Sequence, residues 1–169
     1  MMQLKIQVVV SLSLLFVMAG CVPTAELYIG KQVTAAPIAQ LQVGENVSGT
    51  WQTFDMTINY QYQADGDIIT LAGQGELSQH YQMVYDGVRY LRVYLFLLDA
   101  DGLVLDTIEI PAFLTNTEDQ FAFNNPFKVN ENIKGFSFGY RGVATEMEGQ
   151  AYFDSLPSNR PAKTNQPGQ

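Results

Sequence analysis

Gly135-Phe136-Ser137-Phe138-Gly139 is the stretch whose spacing comes closest to catalysis. G-x-S-x-G is the nucleophile-elbow pattern, in which a serine on a strained strand-to-helix turn attacks an acyl carbon above an oxyanion hole. Such chemistry needs a histidine base, and the chain has one histidine, His80. It precedes the serine, whereas hydrolases of that fold place it after. Phe136, Phe138 and Tyr140 alternate as a strand and no helical period follows, so the expectation is a structural Ser137 on the strand face opposite those rings. A serine hydrolase acting through Ser137 and His80 stays as the rival reading.

Carboxylates two apart, Asp65 with Asp67 and Asp99 with Asp101, offer oxygens that suit calcium. Neither pair continues into a full loop with a bidentate Glu. Each is followed or split by glycine as hairpin turns require, so turn chemistry is expected and no metal or cofactor is. His80 lies in the polar break Ser78-Gln79-His80 and reads as a loop residue without an orienting partner.

The remaining reactive group is Cys21, the only cysteine. Lys5 precedes an apolar run from Ile6 to Met18, closed by Ala19 and Gly20, the layout of an export signal. The run is shorter than the roughly 20 apolar residues of a membrane-spanning helix. Met18-Ala19-Gly20-Cys21 resembles the lipobox cut by bacterial lipoprotein signal peptidase, with Met18 where Leu is usual. That resemblance implies that residues 1–20 are removed and that Cys21 carries two or three acyl chains, enough for stable anchoring where one chain gives marginal binding. Val22 stands where the family's inner-membrane retention signal has Asp, which implies the outer membrane, with a periplasmic or surface-facing domain. An exported chain with one cysteine has no internal disulfide to form, so its stability must come from its core.

Nine Lys and Arg face 17 Asp and Glu, a net charge of -8 that becomes -9 when Lys5 leaves with the signal. Nucleic acid is excluded as a partner, because its binding rests on clustered cations. What remains after Cys21 suits one domain.

The elements that must position these groups are strands. Residues 21–46, with Pro23 and Pro37 among small and polar side chains, read as a tether, in which Glu26 to Ile29 is a short strand candidate and part can pack as an edge strand. Met56, Ile58, Tyr60 and Tyr62 alternate with Thr57, Asn59, Gln61 and Gln63, the period of a half-buried strand. Asp65-Gly66 is a hairpin turn leading to Ile69, Leu71 and Leu77, with Gly73 and Gly75 marking a bulge or close packing. Asp86-Gly87 and Asp101-Gly102 bracket the most apolar stretch, Val88 to Leu98, which reads as the central strand. Leu91, Val93, Leu95 and Leu97 face the core; Tyr90, Arg92, Tyr94 and Phe96 form the other face, a binding surface for a sugar or protein if it is open to solvent and core if it is not. Leu103 to Ile110, Phe121 to Val129, Phe136 to Tyr140 and Gln150 to Phe153 continue the rhythm, and residues 158–169 should be disordered.

The expected fold is therefore all-β, an antiparallel immunoglobulin-like β-sandwich of roughly seven to nine strands over residues 47–157, with a closed barrel as the alternative. Leu95-Phe96-Leu97-Leu98-Asp99-Ala100-Asp101-Gly102 resembles the signature hairpin of FxLYD-type domains, small immunoglobulin-like modules of exported prokaryotic proteins. Leu95 and Leu98 stand where that signature has Phe and Tyr, and the resemblance carries no catalytic residue. The expected function is that of a non-enzymatic, lipid-anchored envelope accessory protein that binds an envelope protein or glycan. A saccharide-binding lipoprotein or an inhibitor of a wall-cleaving enzyme is the alternative.

Overall fold

The computed structural model describes residues 27–42, 46–146 and 149–159. The signal segment, Cys21 and the tail beyond residue 159 lie outside them.

Two antiparallel sheets pack face to face. One has the order β2-β3-β4-β7, from Val47–Gln52, Met56–Asp65, Ile68–Leu77 and Gln120–Lys128. In the other, β5 (Gly87–Leu98) lies between β6 (Val104–Ile110) and β8 (Gly135–Glu146). The far edge of β8 is shared by β1 (Ala39–Gln40), on its first two residues, and β9 (Gly149–Ser155), from Tyr140 onward. After β5 and β6 have formed their hairpin in one sheet, β7 returns to pair with β4 in the other. This return between sheets leaves the chain an open, all-β antiparallel sandwich, not a closed barrel.

Side-chain alternation produces the layers. Met56, Ile58 and Tyr62 on β3 and Ile69, Leu71 and Leu77 on β4 turn inward, as do Leu91, Val93, Leu95 and Leu97 on β5. They meet rings from β2, β7 and β8 in a core where Phe138 lies 5.7 Å from Trp51 and 5.8 Å from Phe123. Gly73 is required by close packing: a Cβ there would sit 2.6 Å from the Phe123 ring and 2.5 Å from the Asn59 carbonyl oxygen. The β3–β4 register runs without interruption past it, so no bulge is present.

Turn chemistry follows the expected residues in two of the three Asp-Gly pairs. Gly66 opens a two-residue loop with φ of 62°, the first central position that a type II′ hairpin gives to glycine. Gly102 has φ of 81°, and Asp99 Oδ1 accepts the backbone N–H groups of Asp101 and Leu103 at 2.9 and 2.8 Å. That carboxylate is occupied by the turn itself. Asp86-Gly87 instead leads from a helix into β5, and Gly87 has no positive φ.

Four expectations are corrected. The segment read as a tether is, in its described part, a strap laid on the domain. Tyr28 and Val33 are buried, and Gly30 N–H donates to the Val104 carbonyl at 2.9 Å and Val33 N–H to that of Gly102 at 3.0 Å. Residues 27–28 form a 3-10 turn where a strand was expected. At the other end Ser158 exchanges backbone hydrogen bonds with Gln32, so the ordered chain runs past the expected start of the tail. The fourth is α1 (Gln79–Val84), which holds His80 where a loop was expected.

Candidate functional site

The strap decides the fate of the face read as a binding surface. Tyr28 lies over Tyr94 and Phe96 at ring distances of 5.3 and 5.4 Å. With Val33, Leu98 and Val104 they form a second, smaller core outside the β5–β8 sheet. Tyr94 and Phe96 are thus buried on the outer face and offer nothing to a ligand. Only Tyr90 and Arg92 of that set reach solvent, and Arg92 stands 4.0 Å from Glu109 with both side chains half exposed, a pair worth little. Burial, with Tyr94 beside it, raises the pKa of the Tyr28 hydroxyl above its usual 10.0.

Ser137 and His80 are not brought together. Ser137 lies inside β8 with no solvent exposure, and its hydroxyl donates to the Pro37 carbonyl at 2.7 Å and accepts the Trp51 indole N–H at 3.2 Å. The strand continues through it, so the strained turn of a nucleophile elbow is not formed there. His80 is exposed on α1, its ring tilted against Phe54 at 5.3 Å and edge-on to Tyr81 at 5.8 Å. No cluster of three or more His, Cys, Asp or Glu that could hold a metal occurs among the described residues.

What sequence reasoning missed is the surface around that histidine. Six residues are too few for a helix to persist alone, so α1 exists because it is held. Tyr81 turns inward onto Phe153 (4.9 Å) and Tyr85 (5.2 Å), and Gln82 Nε2 donates to the Leu77 carbonyl at 2.9 Å. His80, Met83 and Val84, at i, i+3 and i+4, are left on the outer face. Met83 is 80% exposed and Phe54, in the β2–β3 turn, 74%. The result is an apolar cap over one end of the sandwich, built on a rigid base.

That base is polar. Tyr140 Oη donates to Asp55 Oδ2 at 2.7 Å and lies 2.8 Å from Thr53 Oγ1. Tyr81 lies beside Asp55, whose carbonyl oxygen accepts the Ser78 N–H at 2.7 Å. Asp55 thus ties the β2–β3 turn to β8 through its carboxylate and to the start of α1 through its carbonyl. Burial first, then the Asp55 charge, pushes Tyr81 up to about 12. Burial likewise raises Tyr140, with Asp55 adding to it and Thr53 opposing.

These shifts give a pH dependence with a definite sign. Both phenols have folded pKa values above the unfolded 10.0, so their contribution is complete below pH 10 and is lost as pH rises toward and past 12. Absorbance titration of the phenolate band is expected to show a tyrosine ionising near 12, with stability to urea falling over the same interval. Asp55→Asn should lower that pKa without returning it to 10, because burial is the larger cause. An unshifted titration in wild type would refute the cap's packing.

A second surface differs in chemistry. The outer face of the β2-β3-β4-β7 sheet carries Ser48, Gln61, Ala72 and Asn124 in one cross-strand row and Thr50, Asn59, Gln74 and Ala122 in the next. All are polar and uncharged or small. Ala72 and Ala122 floor a shallow trough of about 380 Å³ between the amides.

No protein-family model matches the chain, and searches of curated proteins and of solved structures find none similar to it. No helix of the described residues is long and apolar enough to cross a membrane.

Proposed function

We propose that the protein is a lipid-anchored accessory module of the bacterial cell envelope, held at the outer membrane through acylated Cys21 and engaging an envelope protein without catalysis of its own. The carrying observation is the cap of Phe54, His80, Met83 and Val84. Aromatic residues and Met are enriched in protein interfaces, and a backbone already held in place has less entropy to lose on binding. The Asp55 base supplies that rigidity. The lipobox resemblance supports the location, and the FxLYD-like hairpin supports an exported binding module.

Crosslinking of intact envelopes followed by purification tests this reading. The native protein should enrich one envelope protein; Cys21→Ala should release the module from the membrane, and Phe54→Ala with Met83→Ala should lose the partner while remaining anchored. Central interface residues of this kind cost about 2 kcal/mol or more on truncation, about thirtyfold in affinity.

The saccharide reading has its own observation, the uncharged amide trough. Amides and hydroxyls arranged in rows suit the hydroxyl groups of a neutral glycan. Retention on glycan resins that Gln61→Ala and Gln74→Ala abolish, with the cap variants unchanged, would replace the protein-partner reading by this one. An inhibitor of a wall-cleaving enzyme would use the cap, and its partner would be that enzyme.

A further inference from the structure

The sandwich has two ends, and they differ in how far they can be from Cys21. Leu27, where the strap begins, is six residues from Cys21, a span of at most about 20 Å. The strap meets the β5–β6 hairpin at one end of β5: Gln32 pairs with Leu103, and Val104 N–H donates to the Lys31 carbonyl at 2.9 Å. The cap sits at the other end, beyond Gly87, and the twelve residues of β5 set the two ends about 40 Å apart. An acyl anchor on Cys21 therefore holds the strap end closer to the bilayer than the cap.

That end carries apolar side chains the fold does not cover. Leu27 is 54% exposed, Ile29 50%, Ile38 38% and Leu103 36%. Ile38 reaches the turn beside Leu103, since a Cβ on Gly102 would lie 3.2 Å from its Cδ1. Lys31 and Lys134 stand at the rim: Lys31 Nζ lies 5.4 Å from the Tyr28 ring centroid, and Lys134 N–H donates to the Leu98 carbonyl at 2.8 Å. Asp101 on the same turn opposes their charge, so apolar insertion, not attraction to anionic lipid, is the main driving force.

We propose that this corner docks on the lipid surface that holds the anchor, seating Leu27, Ile29, Ile38 and Leu103 in the headgroup boundary and directing the cap away from the membrane. The inference rests on the lipid-anchor reading and adds to it an orientation. Interfacial binding scales with the apolar area buried, and an anchor that already confines the corner near the surface removes most of the association cost.

The test is amide hydrogen exchange on phosphatidylcholine vesicles. Protein purified from cells is used directly if its intact mass shows acyl chains, and is otherwise coupled through Cys21 to a maleimide lipid. Mass thus reports the anchor reading, and exchange reports the corner. Expected is at least about threefold slower exchange at residues 29–33 and 102–104 on vesicles than in vesicle-free protein, with 80–84 unchanged. Ile29→Glu with Leu103→Glu should abolish the protection while the protein still floats with vesicles. Leu27→Glu, at the most exposed of the four sites, should weaken it if the double variant fails to fold. Unchanged exchange at the corner, equal protection at 80–84, or the same protection in concentrated vesicle-free protein, which would assign the corner to a second copy, overturns the proposal.

Discussion

Phe138→Ala is expected to cost about 3–5 kcal/mol of stability, at the upper end of that range. Phe138 is 1% exposed, and its ring lies 5.7 Å from Trp51 and 5.8 Å from each of Tyr60, Phe123 and Phe136. Trp51, Tyr60 and Phe123 come from β2, β3 and β7 of the facing sheet, so this one ring joins the two layers. The cost of truncation depends on how far the surroundings can close over the vacancy. Here the walls are aromatic rings on paired strands, and Trp51 is further fixed by its indole N–H bond to the Pro37 carbonyl at 3.0 Å. Little collapse is available. Domains of this kind have about 5–15 kcal/mol in total, so the variant should retain a fold with a melting temperature lower by roughly 10–15 °C. Urea unfolding beside Phe54→Ala, whose ring is 74% exposed, gives the control. Phe54→Ala should shift the midpoint little; equal shifts in the two variants would mean that Phe138 is not the contact between layers.

The sandwich was legible because each layer is written in period two. Met56 to Tyr62 showed its faces from alternation alone, and Gly66 and Gly102 fixed two turns. The strap was legible only in part. An edge strand from it was among the expectations, and Ala39–Gln40 forms one. Leu27 to Val33, however, crosses the sheet through a 3-10 turn and isolated bridges, which leave no periodic trace. A signal for it did exist elsewhere. Tyr94 to Leu98 and Gly135 to Tyr140 are buried without alternation, as a strand is when both its faces are covered, and the second cover had to come from outside the two sheets. For Tyr94 and Phe96, whose face the sequence leaves open between binding surface and core, the outcome is core. The cap was illegible for a different reason. Six residues hold less than two turns, too few to show a helical period, and nothing in composition distinguishes an exposed Met83 from a buried Met56.

Tyr28→Ala is the complementary experiment, because it should act on the strap and spare the main core. The side chain is 5% exposed and spans Tyr94 and Phe96, so its loss should cost about 3 kcal/mol, the lower end for a large aromatic, since the strap can partly settle into the space. Where that cost falls is the informative part. From Pro37 onward the strap is tied into the main body, through the Pro37 carbonyl bonds to Ser137 and Trp51 and the pairing of β1 with β8. Its Leu27 to Val33 part touches the body through the Gly30 to Val104, Val104 to Lys31, Val33 to Gly102 and Gln32 to Ser158 hydrogen bonds and through a core of six buried residues separate from the one between the sheets. Such a segment can open without unfolding the sandwich. Exchange at the amides of Gly30, Val33 and Val104 should therefore accelerate by about a hundredfold, the equivalent of 3 kcal/mol, while amides of β3 and β4 change much less. If instead all of these amides accelerate together, the strap unfolds with the sandwich as one cooperative unit. The first outcome carries a functional consequence. Release of the strap would uncover Tyr94 and Phe96, whose rings stack at 6.1 Å, beside the exposed Arg92. The variant should then bind hydrophobic dyes at that face, which would show that Tyr28 is what keeps this sheet face closed.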